Sequence, residues 1–309
     1  MILKKPKFWD DKIGLFSILL LPITLITLIL IFIKKKIIQP IQFDIPIICV
    51  GNIYLGGTGK TPTSILLAKV LSTQGEKTAI LRKFYKNHAD EHDLIRTNFK
   101  DLILDKNRIN GIHKIQKIGY DYIILDDGFQ DYKIKKNLNI VCFNSNQQIG
   151  NGLIIPSGPL RENLGALKNA QIILINGEKD SKFEEKIFGI NKKLKIFYSY
   201  YKPLNLSNFK GKKLMAIAAI GNPFNFFELL KKNKLEVEEE KIYPDHYKFS
   251  KREIENLTKY AKKNNYKIIM TEKDYFKFKY LSTEKFDYLK VSLQIENFEN
   301  FIKIVRSYV

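Results

Sequence analysis

The run Gly-Asn-Ile-Tyr-Leu-Gly-Gly-Thr-Gly-Lys-Thr-Pro-Thr at residues 51–63 ends in Gly59-Lys60-Thr61, the ending of a phosphate-binding loop. The usual spacing, G-x-x-x-x-G-K-[ST], asks for glycine at 54, where Tyr54 stands. The chemistry needs backbone N–H groups rather than one fixed glycine. A turn through Gly56, Gly57, Thr58 and Gly59, followed by a helix N-terminus, offers those groups to phosphate oxygens. Lys60 then neutralises the β- and γ-phosphates, and Thr61 supplies a hydroxyl to Mg²⁺. A second acidic pair, Asp126-Asp127, closes the apolar run YIILDDGFQ and offers a carboxylate to the same metal. The residues alone do not choose between the two.

Two further stretches carry titratable groups. HADEHD (88–93) reads as a loop of acids and imidazoles in which an Asp could take a proton from an attacking hydroxyl, although a solvated acidic loop is the plainer reading of the spacing. YPDHYKFS (243–250) puts His246 on an aromatic-rich loop, where a surface histidine is the default. A guanine-reading [NT]-K-x-D is matched neither by NGEKD (176–180) nor by TEKD (271–274), which favours ATP over GTP.

Elements must hold these groups in place. IPIICV (45–50) reads as a buried strand, and TPTSILLAKVLSTQG has apolar residues at helical spacing, with Gly75 as its stop. KTAILRK, YDYIILDD, NIVCFN and AQIILING read as further strands. Strands alternating with helices predict an α/β fold with a P-loop-type, doubly wound parallel sheet, which binds ligands at the carboxyl ends of its strands. After a polar linker near 200–213, LMAIAAIGNP, FNFFELLKK, KREIENLTKYAKKNN and YKIIMTEKD predict a smaller α/β unit. The expected organisation is an N-terminal anchor over 1–36, a nucleotide-binding domain over 37–203 and a C-terminal domain over 204–309.

The anchor is read from residues 13–33, which carry no charge. As one helix they reach roughly 30 Å, the thickness of a bilayer's hydrocarbon core. Lysines flank both ends, and Lys34-Lys35-Lys36 favour a cytoplasmic body. The expectation is a membrane helix, spanning or deeply embedded. A formal net charge of +20 over 309 residues suggests an anionic partner, whether nucleic acid, membrane surface or phosphorylated substrate. Cys49 and Cys142 both lie in apolar runs and read as reduced core residues, and the four histidines show no zinc spacing.

Taken in order, VGNIYLGGTGKTP, DDGFQ, PSGPLRE, GNP, YPDHYKF and TEKD, with the N-terminal apolar helix, resemble the tetraacyldisaccharide 4′-kinase (lipid A 4′-kinase) family over nearly the whole chain. The resemblance implies an enzyme of the inner membrane's cytoplasmic face. It would use ATP and Mg²⁺ to phosphorylate the 4′-hydroxyl of a tetraacyldisaccharide 1-phosphate, giving lipid IVA. It implies two α/β domains with the active site in the cleft between them. It further implies that Lys60 and Thr61 hold phosphates and Mg²⁺, that Asp126 or Asp127 completes the metal site, and that Arg161 and Glu162 of PSGPLRE lie near the phosphates and metal. Asp90 becomes the general base and His246 its partner. The chain departs from the family's G-D-E-P, reading Ala89-Asp90-Glu91-His92, and from its S-R-G-Y, reading Leu81-Arg82-Lys83-Phe84. The competing expectations are a membrane-tethered nucleotide switch acting on a protein partner and a nucleic-acid binder. The second lacks any recognisable binding motif, so no nucleic-acid partner is expected.

Overall fold

The computed structural model describes residues 5–86, 88–278 and 286–309. The chain begins with helices α1 (Leu15–Leu19) and α2 (Leu21–Ile37). There follow β1 (Ile47–Gly51), α3 (Lys60–Thr73), β2 (Thr78–Lys83), α4 (Ala89–Asn98), β3 (Leu102–Asp105), α5 (Arg108–Ile118), β4 (Tyr122–Asp126), β5 (Leu138–Asn144), β6 (Ile172–Asn176), α6 (Ser181–Phe188) and β7 (Lys195–Pro203). The remainder is β8 (Leu214–Ala218), α7 (Pro223–Lys232), β9 (Val237–Ile242), α8 (Lys251–Lys263), β10 (Lys267–Thr271), α9 (Glu272–Tyr275), β11 (Phe286–Leu289), β12 (Val291–Ile295) and α10 (Phe298–Arg306).

Two compact units result. The larger comprises Lys5–Phe84, Phe99–Tyr200 and Gln294–Val309, and the smaller includes Tyr85–Asn98 and Tyr201–Leu293. A linear division at 36/37 and 203/204 does not describe them. The C-terminal helix α10 returns to the larger unit because it buries Phe301, Ile302 and Val305, with the Phe301 ring edge-on to Phe197 at 5.2 Å. α4 joins the smaller unit, where Asn98 Nδ2 donates to Glu272 Oε1 at 3.2 Å.

The larger unit holds an eight-stranded sheet in the order β12-β7-β6-β5-β1-β4-β2-β3. β1 lies between β4 and β5 and runs parallel to both. Its five residues are all buried, as expected for a central parallel strand covered on both faces. Register places Val50 beside Asp126 and Asp126 beside Arg82, so the carboxyl ends of β1, β4 and β2 meet. The smaller unit holds a four-stranded sheet, β11-β10-β8-β9, parallel throughout. Alternation along β8 sorts its layers: Leu214, Ala216 and Ala218 pack with Phe226, Phe227 and Leu230 of α7. Met215 and Ile217 pack with Ile254, Leu257 and Ala261 of α8.

The N-terminal segment departs from the single membrane helix expected over 13–33. Leu20 separates α1 from α2, and Pro22 lies in the first turn of α2, where its missing N–H costs nothing. α2 has 17 residues, three of them Lys34, Lys35 and Lys36 in its last turn. No helix among the described residues is long and apolar enough to cross a membrane. The segment is tied down on one side: Thr24 Oγ1 donates to Ser157 Oγ at 2.7 Å, and Trp9 Nε1 to the Pro156 carbonyl at 2.9 Å. Its other sides leave Leu15, Phe16, Leu19, Leu25, Leu30 and Phe32 more than half exposed.

Candidate active site

The glycine-rich run of the larger unit becomes a loop between β1 and α3. Gly56 and Gly59 have φ of 136° and 91°, in the region where a Cβ is penalised, which is why the turn needs glycine at both. Gly51, at the end of β1, answers a different demand. A Cβ there would lie 2.5 Å from Phe129 Cβ, so only glycine lets the loop after β4 come this close. α3 starts with Lys60, and no side chain caps it. Its first-turn N–H groups are therefore available to an anion, favoured also by the helix dipole.

Tyr54, where the usual loop has glycine, is fully buried. Its backbone forms an antiparallel bridge with Leu160, and its hydroxyl donates to Asp10 Oδ1 at 2.8 Å. The loop is thus laid along PSGPLRE instead of closing on itself, with Leu55 N donating to Pro159 O at 2.8 Å and Arg161 N to Ile53 O at 2.7 Å.

The wholly buried Asn52 organises this arrangement, and sequence reasoning missed it. Its Nδ2 donates to the Tyr54 carbonyl at 2.5 Å, to the Gly56 carbonyl at 3.3 Å and to Thr58 Oγ1 at 3.0 Å. Its Oδ1 accepts from Arg161 Nη1 at 3.0 Å. Four polar contacts on one buried amide fix the loop's path and tie it to the arginine.

The acids of β4 diverge. Asp126, fully buried, accepts from Thr61 Oγ1 at 3.1 Å and Ser64 Oγ at 2.9 Å and is paired with Arg82. Asp127 has φ of 56°, unusual for a residue other than glycine and a strain common at functional sites. This turns its carboxylate toward Arg161 Nη1 at 2.6 Å and Lys60 Nζ at 3.9 Å. Burial opposes ionisation of Asp127, but Lys60 and Arg161 hold its carboxyl well below the usual carboxylate range. Burial pulls the Lys60 ammonium below its ordinary value, with Asp127 working against that pull. An arriving polyphosphate would supply the negative charge that favours the ammonium.

Glu162, next to Arg161 in sequence, is buried. Its buried carboxylate lies 2.5 Å from Lys35 Nζ at the end of α2. Burial and Glu162 together push the neighbouring Tyr132 phenol up. Arg82 was noted in the sequence only as a departure; its role follows from the β2–β4 register, which no local pattern reveals. Cys49 and Cys142 are buried free thiols, pushed up by burial to about 11 and about 12.

In the smaller unit, HADEHD is not a loop: Ala89 opens α4, and Asp90 lies in its first turn. Asp90 is buried and accepts from His246 Nδ1, 3.0 Å from Oδ2 and 3.1 Å from Oδ1. His246 itself sits in a turn with φ of 58°. Lys277 Nζ and Lys273 Nζ lie 3.7 and 3.9 Å from Asp90 Oδ2. Burial opposes the Asp90 charge, but the His246 hydrogen bond, with Lys273, His246 and Lys277 as nearby charges, outweighs it and holds the carboxyl down at about 2. Lys273 comes from the TEKD segment in α9, and Lys277 from the turn after it. Asp274 of the same segment caps inward, accepting from Ala219 N at 2.9 Å.

The donors fit the expected ligands. Thr61 and Asp126 are hard oxygen donors of the kind Mg²⁺ takes, and Lys60 with the open start of α3 fits a polyphosphate.

Comparison with known proteins agrees over almost the whole length. The family model described as tetraacyldisaccharide-1-P 4′-kinase matches residues 15–309. A tetraacyldisaccharide 4′-kinase of Pelagibacter ubique is 41% identical, the alignment covering 97% of this chain and 96% of that protein. One from Rickettsia canadensis is 35% identical over 94% of this chain and 93% of its own. Among solved structures, LpxK from Aquifex aeolicus in complex with ATP shares the fold, with a TM-score of 0.71 at 22% identity, covering 95% of this chain and 99% of that one. The chain belongs to the tetraacyldisaccharide-1-P 4′-kinase family.

Proposed function

We propose that this protein is the ATP-dependent kinase that phosphorylates the 4′-hydroxyl of tetraacyldisaccharide 1-phosphate, giving lipid IVA. The observation that carries the reading is the convergence of Lys60, Thr61, Asp126 and Asp127 at the carboxyl ends of β1 and β4, in a chain whose family is shown. The N–H groups of the Gly56–Gly59 turn and the start of α3 bind the phosphates, and Lys60 balances their charge. Thr61 and Asp126 would hold Mg²⁺, which supplies further neutralisation of the transferring phosphoryl group. Asp127, locked by Arg161, positions Lys60. Asp90 accepts the proton of the attacking 4′-hydroxyl as the new P–O bond forms and ADP departs. His246 orients the Asp90 carboxylate through Nδ1. Most of the rate enhancement then comes from positioning and charge neutralisation.

A lipid acceptor also gives the N-terminal segment a purpose. We assign the body to the cytoplasmic face of the inner membrane, with the exposed apolar sides of α1 and α2 embedded in one leaflet rather than crossing it. A polar anchor point at Thr24 opposite a broad exposed apolar face supports this. The direct test mixes purified protein, Mg-ATP and the tetraacyldisaccharide 1-phosphate in detergent micelles and follows the lipid's mass. One added phosphate is expected; steady ATP hydrolysis without a lipid product would sink the reading.

A further inference from the structure

Around the Asp90–His246 pair, the smaller unit carries a second set of groups that the phosphoryl-transfer reading does not use. Asp90 takes the Nδ1 proton of His246, so in the neutral ring the lone pair sits on Nε2. That nitrogen faces carboxylate oxygens: Glu91 Oε1 and Asp245 Oδ1, each at 3.8 Å. Lys273 Nζ balances both carboxylates, 2.9 Å from Glu91 Oε1 and 3.1 Å from Asp245 Oδ1, and the Nε2 lone pair faces the same oxygens. His88 completes the group, its Nδ1 3.3 Å from Glu91 Oε2 and its ring 4.4 Å from that of His246. One ligand atom from each of His88, Glu91 and His246 falls within 4.8 Å of the others.

We propose that His88, Glu91 and His246 form a binding site for a zinc-class divalent cation, and that filling it inhibits the enzyme. Two imidazoles and a carboxylate are borderline donors that suit Zn²⁺ and not Mg²⁺. Donors on a four-coordinate ion at about 2.0–2.1 Å stand roughly 3.4 Å apart; Glu91 lies between the two imidazoles, Oε2 3.3 Å from His88 Nδ1 and Oε1 3.8 Å from His246 Nε2, and a small turn of its carboxylate brings one oxygen onto the ion with both rings. Asp90 on Nδ1 supplies the carboxylate–histidine–metal arrangement that fixes the tautomer of a ligating imidazole. Lys273, 2.9 Å from Glu91 Oε1, keeps Asp245 at 3.1 Å as a partner if Glu91 turns to the metal. The cation then holds His246 and adds positive charge beside Asp90, weakening Asp90 as a proton acceptor. The binding site stands on these residues alone; the inhibition rests on the base role given to Asp90 above.

The test is a Co²⁺ titration of the full chain, without a histidine tag and in excess Mg²⁺, followed by visible absorption. One equivalent should give the strong bands of a low-coordinate ion, erased by Zn²⁺. His88→Ala and, independently, Glu91→Gln should each weaken binding by roughly 100-fold, since loss of a mere outer-shell partner costs 10- to 100-fold. Bands absent from the wild type, or unchanged in both variants, overturn the site. Kinase turnover under the same Mg²⁺ excess reads the consequence separately. Stoichiometric Zn²⁺ should stop the wild type and spare His88→Ala. A wild type that binds Co²⁺ at the site yet turns over at full rate with Zn²⁺ overturns the inhibition and leaves the kinase reading intact.

Discussion

At the scale of single residues, the two units prepare charge in opposite ways. Lys60 is pulled down by burial and waits for an anion, whereas Asp90 is held ionised before any substrate arrives. Lys60→Ala should therefore lower kcat by about 10² to 10³, the magnitude of losing one preorganised charge-stabilising group. A variant turning over near the wild-type rate would remove the phosphate-loop assignment. The Asp90 carboxyl sits at about 2 against an ordinary 3.8, so its pairing stabilises the fold above about pH 4 and the contribution fades as pH falls toward 2. At pH 7 that is worth about 2 kcal/mol. Denaturant melts should show Asp90→Asn less stable than wild type by about that amount at pH 7, with the gap roughly halved by pH 3. A gap that does not change with pH would mean the ion pairs seen at Asp90 are not what stabilises it. These residues were visible in the sequence as types, but only the family resemblance singled out Asp90 and His246. Their partnership spans 156 residues of chain, which no local spacing encodes.

At the scale of elements, legibility follows how local the determinant is. The strand β1, its glycine turn and α3 could be read because an Ile-rich run, positive-φ glycines and a helical period are neighbours in sequence. HADEHD was misread as a loop because its polar composition hides a helix stabilised by its packing in the smaller unit. Asn52 and Arg82 were missed because each acts across strands: Arg82 meets Asp126 through register, and Asn52 meets Arg161 through PSGPLRE. The unusual loop spacing has the same origin, since Tyr54 is held by Asp10 and Leu160 as well as by Asn52 of the loop itself. Asn52→Ala strands the buried carbonyl of Tyr54 and leaves Arg161 held by Asp127 alone of the two. A buried acceptor left unpaired costs about 1–3 kcal/mol, so the loop should loosen and ATP affinity should fall by roughly 10-fold or more. Nucleotide titration checks this. Unchanged affinity with lowered stability would make Asn52 a purely structural residue.

At the scale of the whole molecule, the proposed leaflet contact draws on a net charge of +20 and an exposed apolar segment. Each Lys or Arg near an anionic leaflet adds about 1 kcal/mol of attraction, and each Leu or Phe side chain buried in lipid about 1.5–3 kcal/mol. Pro22, in the first turn of α2, was the local sign that 13–33 is broken; hydropathy alone cannot distinguish one long helix from two short ones that share it. Deleting residues 1–34 would be a poor test. It would also remove Trp9 and Thr24, which hold Pro156 and Ser157 beside the residues that carry Arg161. Leu25→Glu with Phe32→Glu touches only the exposed side, where the two residues are 59% and 61% accessible. Surface changes of this kind shift stability by about 0.5 kcal/mol or less, so Mg-ATP binding should be unaffected. Sedimentation with anionic vesicles should fall by at least about 100-fold, the loss of two buried apolar side chains, and lipid phosphorylation should fall with it. Vesicle binding that survives the double substitution would place the membrane contact elsewhere on the basic surface. A change in oligomeric state without a change in vesicle binding would assign the apolar face to a second copy of the chain.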